Sequence, residues 1–198
     1  MARLDQLPAA KAVAQLAAVV GREFTYDLVK SIAPQDEETL QAGLGQLVAA
    51  ELLYQRGRPP RARYVFKHAL IQDAAYASLL KSIRQQIHQR TAQALEAQFP
   101  ELVATQPELL ARHLTEAGHP AQAVEYWQRA GERAVARSAH LEAISHLTTG
   151  LAVLQTLPET AERIQQELLL QITLGPALMI TKGFAAPEVE HAYGRARA

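Results

Sequence analysis

The feature that most restricts the fold of this 198-residue chain is the stretch Tyr64–Tyr76, where a strand pattern passes directly into a helix pattern. Tyr64, Val65 and Phe66 favour β-strands. From Leu70 onward the apolar residues recur at helical spacing, at Ile71, Ala74, Ala75, Leu79 and Leu80. His68 stands at the junction, and after it the chain is predicted to be wholly helical.

Three helix patterns and a hairpin pattern lie before this junction. The first helix, about 7–20, ends at Gly21, and Thr25 is placed to cap a second that runs through Ile32. A third has three acids, Asp36, Glu37 and Glu38, in its first turn, where the helix dipole favours them, and its apolar face is Leu40, Leu44, Leu47, Val48 and Leu52. Residues 53–55 and 63–66 then flank a Gly/Pro tip and predict a β-hairpin. This order predicts a winged helix-turn-helix over residues 1–80.

Helices alone are predicted beyond the junction. One covers about 70–80 and another about 83–99, with Ile83, Ile87, Ala94 and Leu95 facing inward, so residues 81–100 are predicted to form a linking helix. The sequence from Thr105 to Glu108 has the pattern of a capping box with proline in the first turn. We expect a new helix to begin there.

The second half carries an internal repeat. Residues 123–127 match residues 143–147 at an offset of twenty, and each block follows a helix-breaking join. Large and small residues recur at tetratricopeptide spacing, at Trp127, Gly131, Ser138, Ala143 and Gly150. The pattern predicts a tetratricopeptide-like antiparallel helical solenoid over 101–198, with Trp127 in its core. Further helices are expected over 160–180 and from Pro187 to Ala198, and we expect the array to be truncated there.

Composition favours a soluble globular protein. Apolar residues make up 48% and charged residues 20%, and 20 Lys and Arg balance 20 Asp and Glu. That balance disfavours binding to nucleic acid or membrane through overall charge. The chain has no cysteine, no signal-peptide pattern and no uninterrupted apolar stretch long enough to span a bilayer. We therefore expect a cytoplasmic protein without a membrane partner.

The motifs of common enzymes and metal sites are missing from the sequence. It contains no P-loop, no Gly-x-Ser-x-Gly and no His-Glu-x-x-His. His113 and His119, like His140 and His146, are six residues apart, which places them on different helix faces. We predict a non-catalytic chain with no metal and no cofactor of its own.

DNA binding is not expected, although winged helices often bind duplex DNA. The helix that would read bases, 36–52, carries four acids and no Lys or Arg. The cations lie instead on the hairpin and the following helix, at Arg56, Arg58, Arg61, Arg63, Lys67, Lys81, Arg84 and Arg90. Such a surface is either solvated or in contact with a neighbouring domain.

His68 is the candidate site residue. The first N–H groups of a helix lack backbone partners and favour anions, so a histidine there can help to hold a phosphate. The alternative is that His68 only caps or packs the corner.

Several segments resemble the region that follows the ATPase module in bacterial STAND signal-transduction ATPases. The likeness is strongest to proteins that join a class III adenylate/guanylate cyclase, or a Ser/Thr kinase, to a P-loop ATPase and tetratricopeptide repeats. The similar segments are Arg3–Pro8, Gln15–Phe24, Glu51–Tyr54, Tyr64–Tyr76, Tyr126–Ala134, Leu174–Met179 and Lys182–Glu190.

This resemblance implies a regulatory role. In that family the winged helix closes over the nucleotide of the preceding ATPase module. In related nucleotide switches, the histidine of a Met-His-Asp sensor approaches the β-phosphate of ADP. His68 matches that histidine, whereas Ala69 stands where related switches carry aspartate. The resemblance implies an upstream ATPase module, ATP or ADP in the full-length protein, and a protein or peptide partner on the repeats. The alternatives are a stand-alone adaptor and a DNA-binding regulator.

Overall fold

The computed structural model describes residues 8–197, and the chain divides into two compact units, Met1–Gln98 and Phe99–Ala198. The first unit contains α1 Pro8–Val20, β1 Glu23–Thr25, α2 Tyr26–Ile32, α3 Glu37–Ala49, β2 Leu53–Arg56, β3 Arg63–Phe66, α4 Ala69–Ala77 and α5 Lys81–Gln98. The second contains α6 Pro100–Thr105, α7 Pro107–Ala117, α8 Pro120–Ala136, α9 His140–Leu154, α10 Ala161–Lys182 and α11 Pro187–Arg197. The start predicted at residue 7 and most of the segment 3–8 lie outside the described residues.

The fold is mostly helical with one small antiparallel sheet, which confirms the predicted fold class at this level. The three strands have the order β1-β3-β2. In β2 and β3, Leu53 pairs with Phe66 and Arg56 with Arg63, so the predicted hairpin is present. The third strand, β1, was not predicted, and it pairs along the other edge of β3.

Side chains on one face of the sheet explain why these short strands hold together. Alternate residues of β3, Tyr64 and Phe66, are buried. The Phe24 ring of β1 stacks on Tyr64 with ring centroids 5.6 Å apart, and it lies 6.0 Å from the Phe66 ring. Aromatic contacts across strands stabilise a sheet that has little backbone pairing.

Side chains cap the starts of α2 and α3, and the cap at Thr25 was predicted. Thr25 Oγ1 accepts a hydrogen bond from the Leu28 N–H at 3.4 Å at the start of α2. Asp36 Oδ1 accepts one from the Thr39 N–H at 2.9 Å at the start of α3. Each cap satisfies a backbone donor that the helix itself leaves unpaired.

Helix α5 belongs to the first unit. It packs against α1 and α2, and the Arg90 guanidinium donates a hydrogen bond to the Ile32 carbonyl at the end of α2. Ile87 and Leu95 are buried as predicted, whereas Ile83 is 39% exposed, so its predicted inward position is wrong. Ile83 lies in the first turn of α5, two residues after the helix begins at Lys81.

In the second unit each helix from α7 to α10 packs on the next helix in the chain. Gly118 ends α7 in the left-handed conformation, with φ 84°. Ser138 has φ 59° in the short connection between α8 and α9. Both joins lie where the sequence predicts breaks between the repeated blocks.

Two glycines let α8 and α9 approach closely, as the repeat spacing predicts. A Cβ on Gly131 of α8 would lie 2.4 Å from Leu147 Cγ of α9. A Cβ on Gly150 of α9 would lie 3.0 Å from Trp127 Cβ of α8. Trp127 is buried between these helices, which confirms its predicted place in the core.

The capping box predicted at Thr105 is wrong. Thr105 is the last residue of α6, and its hydroxyl donates back to the Glu101 carbonyl at 2.9 Å. Gln106 is the N-cap of α7, with no side-chain cap, and Pro107 takes the first helical position. Because Pro100 favours a helix start, the short helix α6 forms and takes up Thr105.

Candidate functional site

His68 lies between β3 and α4, as predicted. It is the N-cap residue of α4, with extended backbone angles (φ −132°, ψ 138°), and its side chain makes no capping hydrogen bond. The side chain is exposed. His68 therefore occupies the N-cap position, but its imidazole does not cap the helix.

The junction itself is held firmly on both sides of His68. Phe66, two residues earlier, is buried at 1% exposure. On the helix side, Gln72 Nε2 donates to the Ala18 carbonyl of α1 at 3.1 Å, and Gln15 Nε2 donates to Ser78 Oγ at 2.8 Å. The imidazole is thus presented from an anchored backbone.

Two leucines are exposed, one near each end of α4. Leu70 is 79% exposed, and Leu80, just after α4, is 73% exposed. Within α4 only Ala75 is fully buried. The helical spacing of apolar residues that begins at Leu70 therefore does not by itself place these two leucines in the core.

The neighbouring lysine is already engaged within the unit. Lys67 Nζ lies 3.2 Å from Glu51 Oε2 and 5.5 Å from the centroid of the Tyr54 ring. A surface ion pair of this kind contributes little to stability, but it fixes the direction of the lysine. The exposed His68 side chain has no such ion pair within residues 8–197.

Several of the predicted cations also have internal partners. Arg63 Nη1 lies 3.7 Å from Glu23 Oε1, and the Arg84 guanidinium lies 4.9 Å from the Tyr76 ring centroid. Arg56, Arg58 and Arg61, at the hairpin tip, are exposed and pair with no carboxylate among residues 8–197. The basic surface that is free for a partner is thus smaller than the sequence indicates.

The acids of α3 connect it to α2. Glu37 accepts hydrogen bonds from Lys30 Nζ at 2.8 Å and from the Tyr26 hydroxyl at 2.9 Å. The bond from Lys30, more than any other contact, lowers the pKa of the Glu37 carboxyl. Burial raises the pKa of the Tyr26 hydroxyl. This helix presents acids and no cation, which disfavours contact with DNA phosphates.

No three metal-binding side chains come together in the described part of the chain. His113 and His88 are buried, and the Tyr76 hydroxyl lies 3.1 Å from His88 Nε2.

Among residues 8–197, no helix has the length and apolar character needed to cross a membrane.

A second candidate site lies in the second unit and was not predicted from the sequence. Residues of α9, α10 and α11 line a cavity of about 750 Å³. Gln171 of α10 is on its wall and is 5% exposed, and its Oε1 has no hydrogen-bond partner. The available signal was a glutamine inside an otherwise apolar helical tract.

Comparison with known proteins finds a relative that is similar in sequence. The chain is 30% identical over 192 residues to an uncharacterized protein of Rhizobium meliloti (strain 1021), and the match covers 96% of this chain. It covers only 19% of the relative, so this chain spans about a fifth of that protein's length. No protein-family model matches the chain, and no solved structure matches it.

Proposed function

We propose that this chain is a non-catalytic regulatory segment of a STAND-type signalling ATPase. In this proposal the first unit is a winged helix that senses the nucleotide bound to an ATPase module outside the chain, and His68 contacts the ADP phosphate. The second unit is a tetratricopeptide-like solenoid that binds a protein or peptide partner or an effector. The observation that carries the proposal is the exposed imidazole of His68 on an anchored helix start.

The order of elements in the first unit supports a winged helix. Helix, strand, helix, helix, strand and strand follow one another, and the last strand is the central strand of the sheet. The hairpin then forms the wing, and α3 takes the place of the helix that reads DNA in DNA-binding relatives of this fold. Because α3 is acidic, the proposal assigns the unit to contact with protein and nucleotide.

The chemistry of His68 suits a phosphate sensor. An imidazolium donates hydrogen bonds and carries positive charge, and the N-terminus of α4 adds partial positive charge at the same point. The exposed Leu70, two residues away, suits burial against an apolar surface of the ATPase module. A polar contact with the nucleotide and an apolar contact with the module would then form together.

Close helix packing in the second unit supports the solenoid assignment. Gly131 and Gly150 face Leu147 and Trp127 across the same pair of helices. Small residues at such positions are what the tetratricopeptide pattern requires.

The test is ADP retention by the full-length protein that contains the ATPase module. We expect His68→Ala to lose bound ADP about tenfold faster, because a charge-assisted hydrogen bond to phosphate is removed. Arg58→Ala, at the exposed hairpin tip, is the matched control and should retain ADP like the wild type. Equal retention and equal basal output in His68→Ala would refute the sensor role.

A stand-alone adaptor is the second candidate, and exposed side chains of α10 favour it. Ile164 is 56% exposed, Ile172 is 50% exposed and Ile180 is 65% exposed. An apolar helix surface of this kind suits a partner helix. If the 198-residue chain is monodisperse and binds a defined partner without any ATPase module, the adaptor role is supported.

A DNA-binding role is the remaining alternative, and the exposed arginines of the hairpin are the reason to test it. It predicts duplex binding that weakens steeply with salt. The absence of a gel shift at low salt would dispose of it.

A further inference from the structure

A ridge of apolar side chains runs along the exposed side of α10. Its members are spaced four residues apart, which on an α-helix places them in one continuous row about 24 Å long. The exposed fractions of Ile164, Ile172 and Ile180 are 56%, 50% and 65%. Leu168, which is half-buried, and Pro176, which is exposed, complete the row. A row of this length differs from the scattered single apolar residues that any protein surface carries.

The apolar surface extends from this ridge onto α11. Met179 lies two helical turns after Ile172, on the same side of α10, and it lines an open groove together with Phe184 and Tyr193. Phe184 is 84% exposed and Tyr193 is 41% exposed. Glu190 also lines the groove and is exposed to solvent. Aromatic side chains are enriched at protein interfaces, so we treat the ridge and this groove as one surface, the α10 surface.

The α10 surface has no charge along its ridge between the first and last turns of the helix. Residues 168–181 contain no Asp, Glu, Lys or Arg. The charged residues on either side of this stretch are paired within the unit. Arg195 Nη2 lies 2.6 Å from Glu167 Oε1, and Lys182 Nζ donates a hydrogen bond to Glu188 Oε1. Two copies of the ridge can therefore meet without opposing like charges, and the centres of interfaces are depleted in charged residues.

The ridge is symmetric about Ile172. That residue lies at the middle of α10, which runs from Ala161 to Lys182. Ile164 lies eight residues before it and Ile180 eight residues after it. When two ridges meet across a two-fold axis at Ile172, Ile164 of each chain packs beside Ile180 of the other. A surface that complements itself in this way is what an isologous dimer requires.

Helix packing provides the geometry for this contact. Rows of residues four apart form ridges that fit into the grooves of a neighbouring helix, and the commonest class of helix contact aligns two such rows with the axes about 50° apart. A partner of different sequence needs only an apolar stripe on α10. The symmetric placement of the isoleucines is required only by a second copy of the same helix, so it favours that occupant.

We infer that the α10 surface pairs two copies of this chain as an antiparallel, two-fold dimer centred on Ile172. This goes beyond the proposed function and does not rest on it.

Sedimentation velocity of the 198-residue chain tests the pairing. We expect the wild type to form a concentration-dependent dimer with a Kd in the micromolar range or below. Ile172→Glu places two carboxylates at the two-fold axis and should weaken the dimer at least about a hundredfold, because like charges then oppose each other. Leu141→Glu is the matched control, since Leu141 is 77% exposed on α9 and lies outside this surface, and it should dimerise like the wild type. Both side chains are exposed, so circular dichroism should show the same helical content in both variants.

Opposite charges at the two ends of the ridge test the antiparallel arrangement. Ile164→Lys and Ile180→Glu should each weaken the dimer about tenfold, because each places a charge against an isoleucine of the other copy. The double variant brings opposite charges of different chains together at both ends, and it should dimerise at least about tenfold more tightly than either single variant. A parallel pairing would set like charges against each other, and the double variant would then be the weakest of the three.

The dimer is ruled out if the wild type remains monomeric at high micromolar concentration, or if Ile172→Glu dimerises like the wild type. A double variant no tighter than the single variants would rule out the antiparallel pairing. A monomeric wild type would leave the ridge to a partner helix, as in the adaptor alternative. None of these results bears on ADP retention in His68→Ala, so the two tests fail or succeed separately.

Discussion

Single residues without a side chain control how the second unit packs. The Leu147 side chain of α9 packs against Gly131, and the Trp127 side chain of α8 packs against Gly150. Leu147 is fully buried and Trp127 is largely buried, so neither can move into solvent to make room. The close approach of the two helices therefore depends on both glycines.

Gly131→Ala should destabilise the second unit despite the better helix propensity of alanine. The new Cβ would lie 2.4 Å from Leu147 Cγ and Cδ2, so the buried leucine or the helix must shift. Overpacking of this kind costs about 1–3 kcal/mol. Chemical denaturation followed by the fluorescence of Trp127, the single tryptophan, measures it.

Gly194→Ala is the control within the same unit. A Cβ there meets nothing within 4 Å, and the residue lies in α11. It should be neutral or stabilise the protein by up to about 1 kcal/mol. Equal effects of the two substitutions would show that the contact with Leu147 is unimportant.

The hydrogen bond of Trp127 gives a second prediction at this scale. Its indole Nε1 donates to Thr115 Oγ1 at 3.1 Å, and that hydroxyl donates to the Ala111 carbonyl at 2.8 Å. Thr115→Val keeps the shape but leaves the indole N–H without an acceptor, which should cost about 1–3 kcal/mol. The midpoint of urea denaturation reports the loss.

Thr149→Val provides the comparison for that experiment. The Thr149 hydroxyl donates only to the Ser145 carbonyl of its own helix, at 2.8 Å. Its removal should change the free energy of unfolding by less than about 0.5 kcal/mol. If Thr115→Val has an effect equally small, the indole does not need this acceptor.

At the scale of elements, a polar network joins α2 to α3 in the first unit. Glu37 at the start of α3 accepts hydrogen bonds from Lys30 and Tyr26, and Gln41 Nε2 donates to the Tyr26 hydroxyl at 3.0 Å. Tyr26 is the first residue of α2 and Glu37 the first residue of α3. The network should therefore make the first unit sensitive to acid.

The direction of that sensitivity follows from Glu37. Its folded-state pKa is held below the ordinary value of 4.5, chiefly by the hydrogen bond from Lys30. The stabilisation is present above that value and is lost as pH falls through the lowered pKa. Glu37→Gln should thus lose less stability than the wild type between about pH 5 and pH 3.

Thermal unfolding followed by circular dichroism across that pH range measures the difference. Glu38→Gln, an exposed acid in the same helical turn, should follow the wild-type profile. A Glu37→Gln profile parallel to that of the wild type would show that this network does not carry the acid response.

Helix starts and breaks were predictable from the sequence where a local chemical rule fixes them. Thr25 acts through its own side chain and Gly118 through its own φ angle, and each lies where the sequence placed a cap or break. Asp36, expected in the first turn of α3, is its N-cap. The strand β1 has only three residues, too few for an alternating pattern, and it exists because β3 offers it backbone partners.

The candidate sites, too, were predictable only where a local sequence pattern determines them. The place of His68 follows from the strand and helix patterns on either side of it, so it was predictable. Its exposure, like that of Leu70, depends on where the other elements of residues 8–197 lie, and no local pattern carries that information. Gln171 is polar within an apolar tract, but only the folding of α9 and α11 around it makes a cavity.

At the scale of the whole molecule, each of the two units buries a core of its own. In the first unit the core includes Tyr26, Leu44 and Phe66, and in the second it includes Leu110, Leu147 and Leu170. Such units are expected to fold separately when the chain is cut where few contacts cross. The cut that the structure favours lies between Gln98 and Phe99.

A comparison of two fragments tests this division. Fragment 1–98 keeps α5, whereas fragment 1–80 ends at the boundary that the sequence predicts for the winged helix. In α5, Ile87 and Leu95 are buried and Arg90 bonds to α2. Each fully buried apolar side chain of this size contributes about 1.5–3 kcal/mol.

We therefore expect fragment 1–98 to unfold cooperatively and fragment 1–80 to be less stable by several kcal/mol or unfolded. Circular dichroism melts and the dispersion of amide resonances distinguish them, and equal stability would mean that α5 is a linker outside the core.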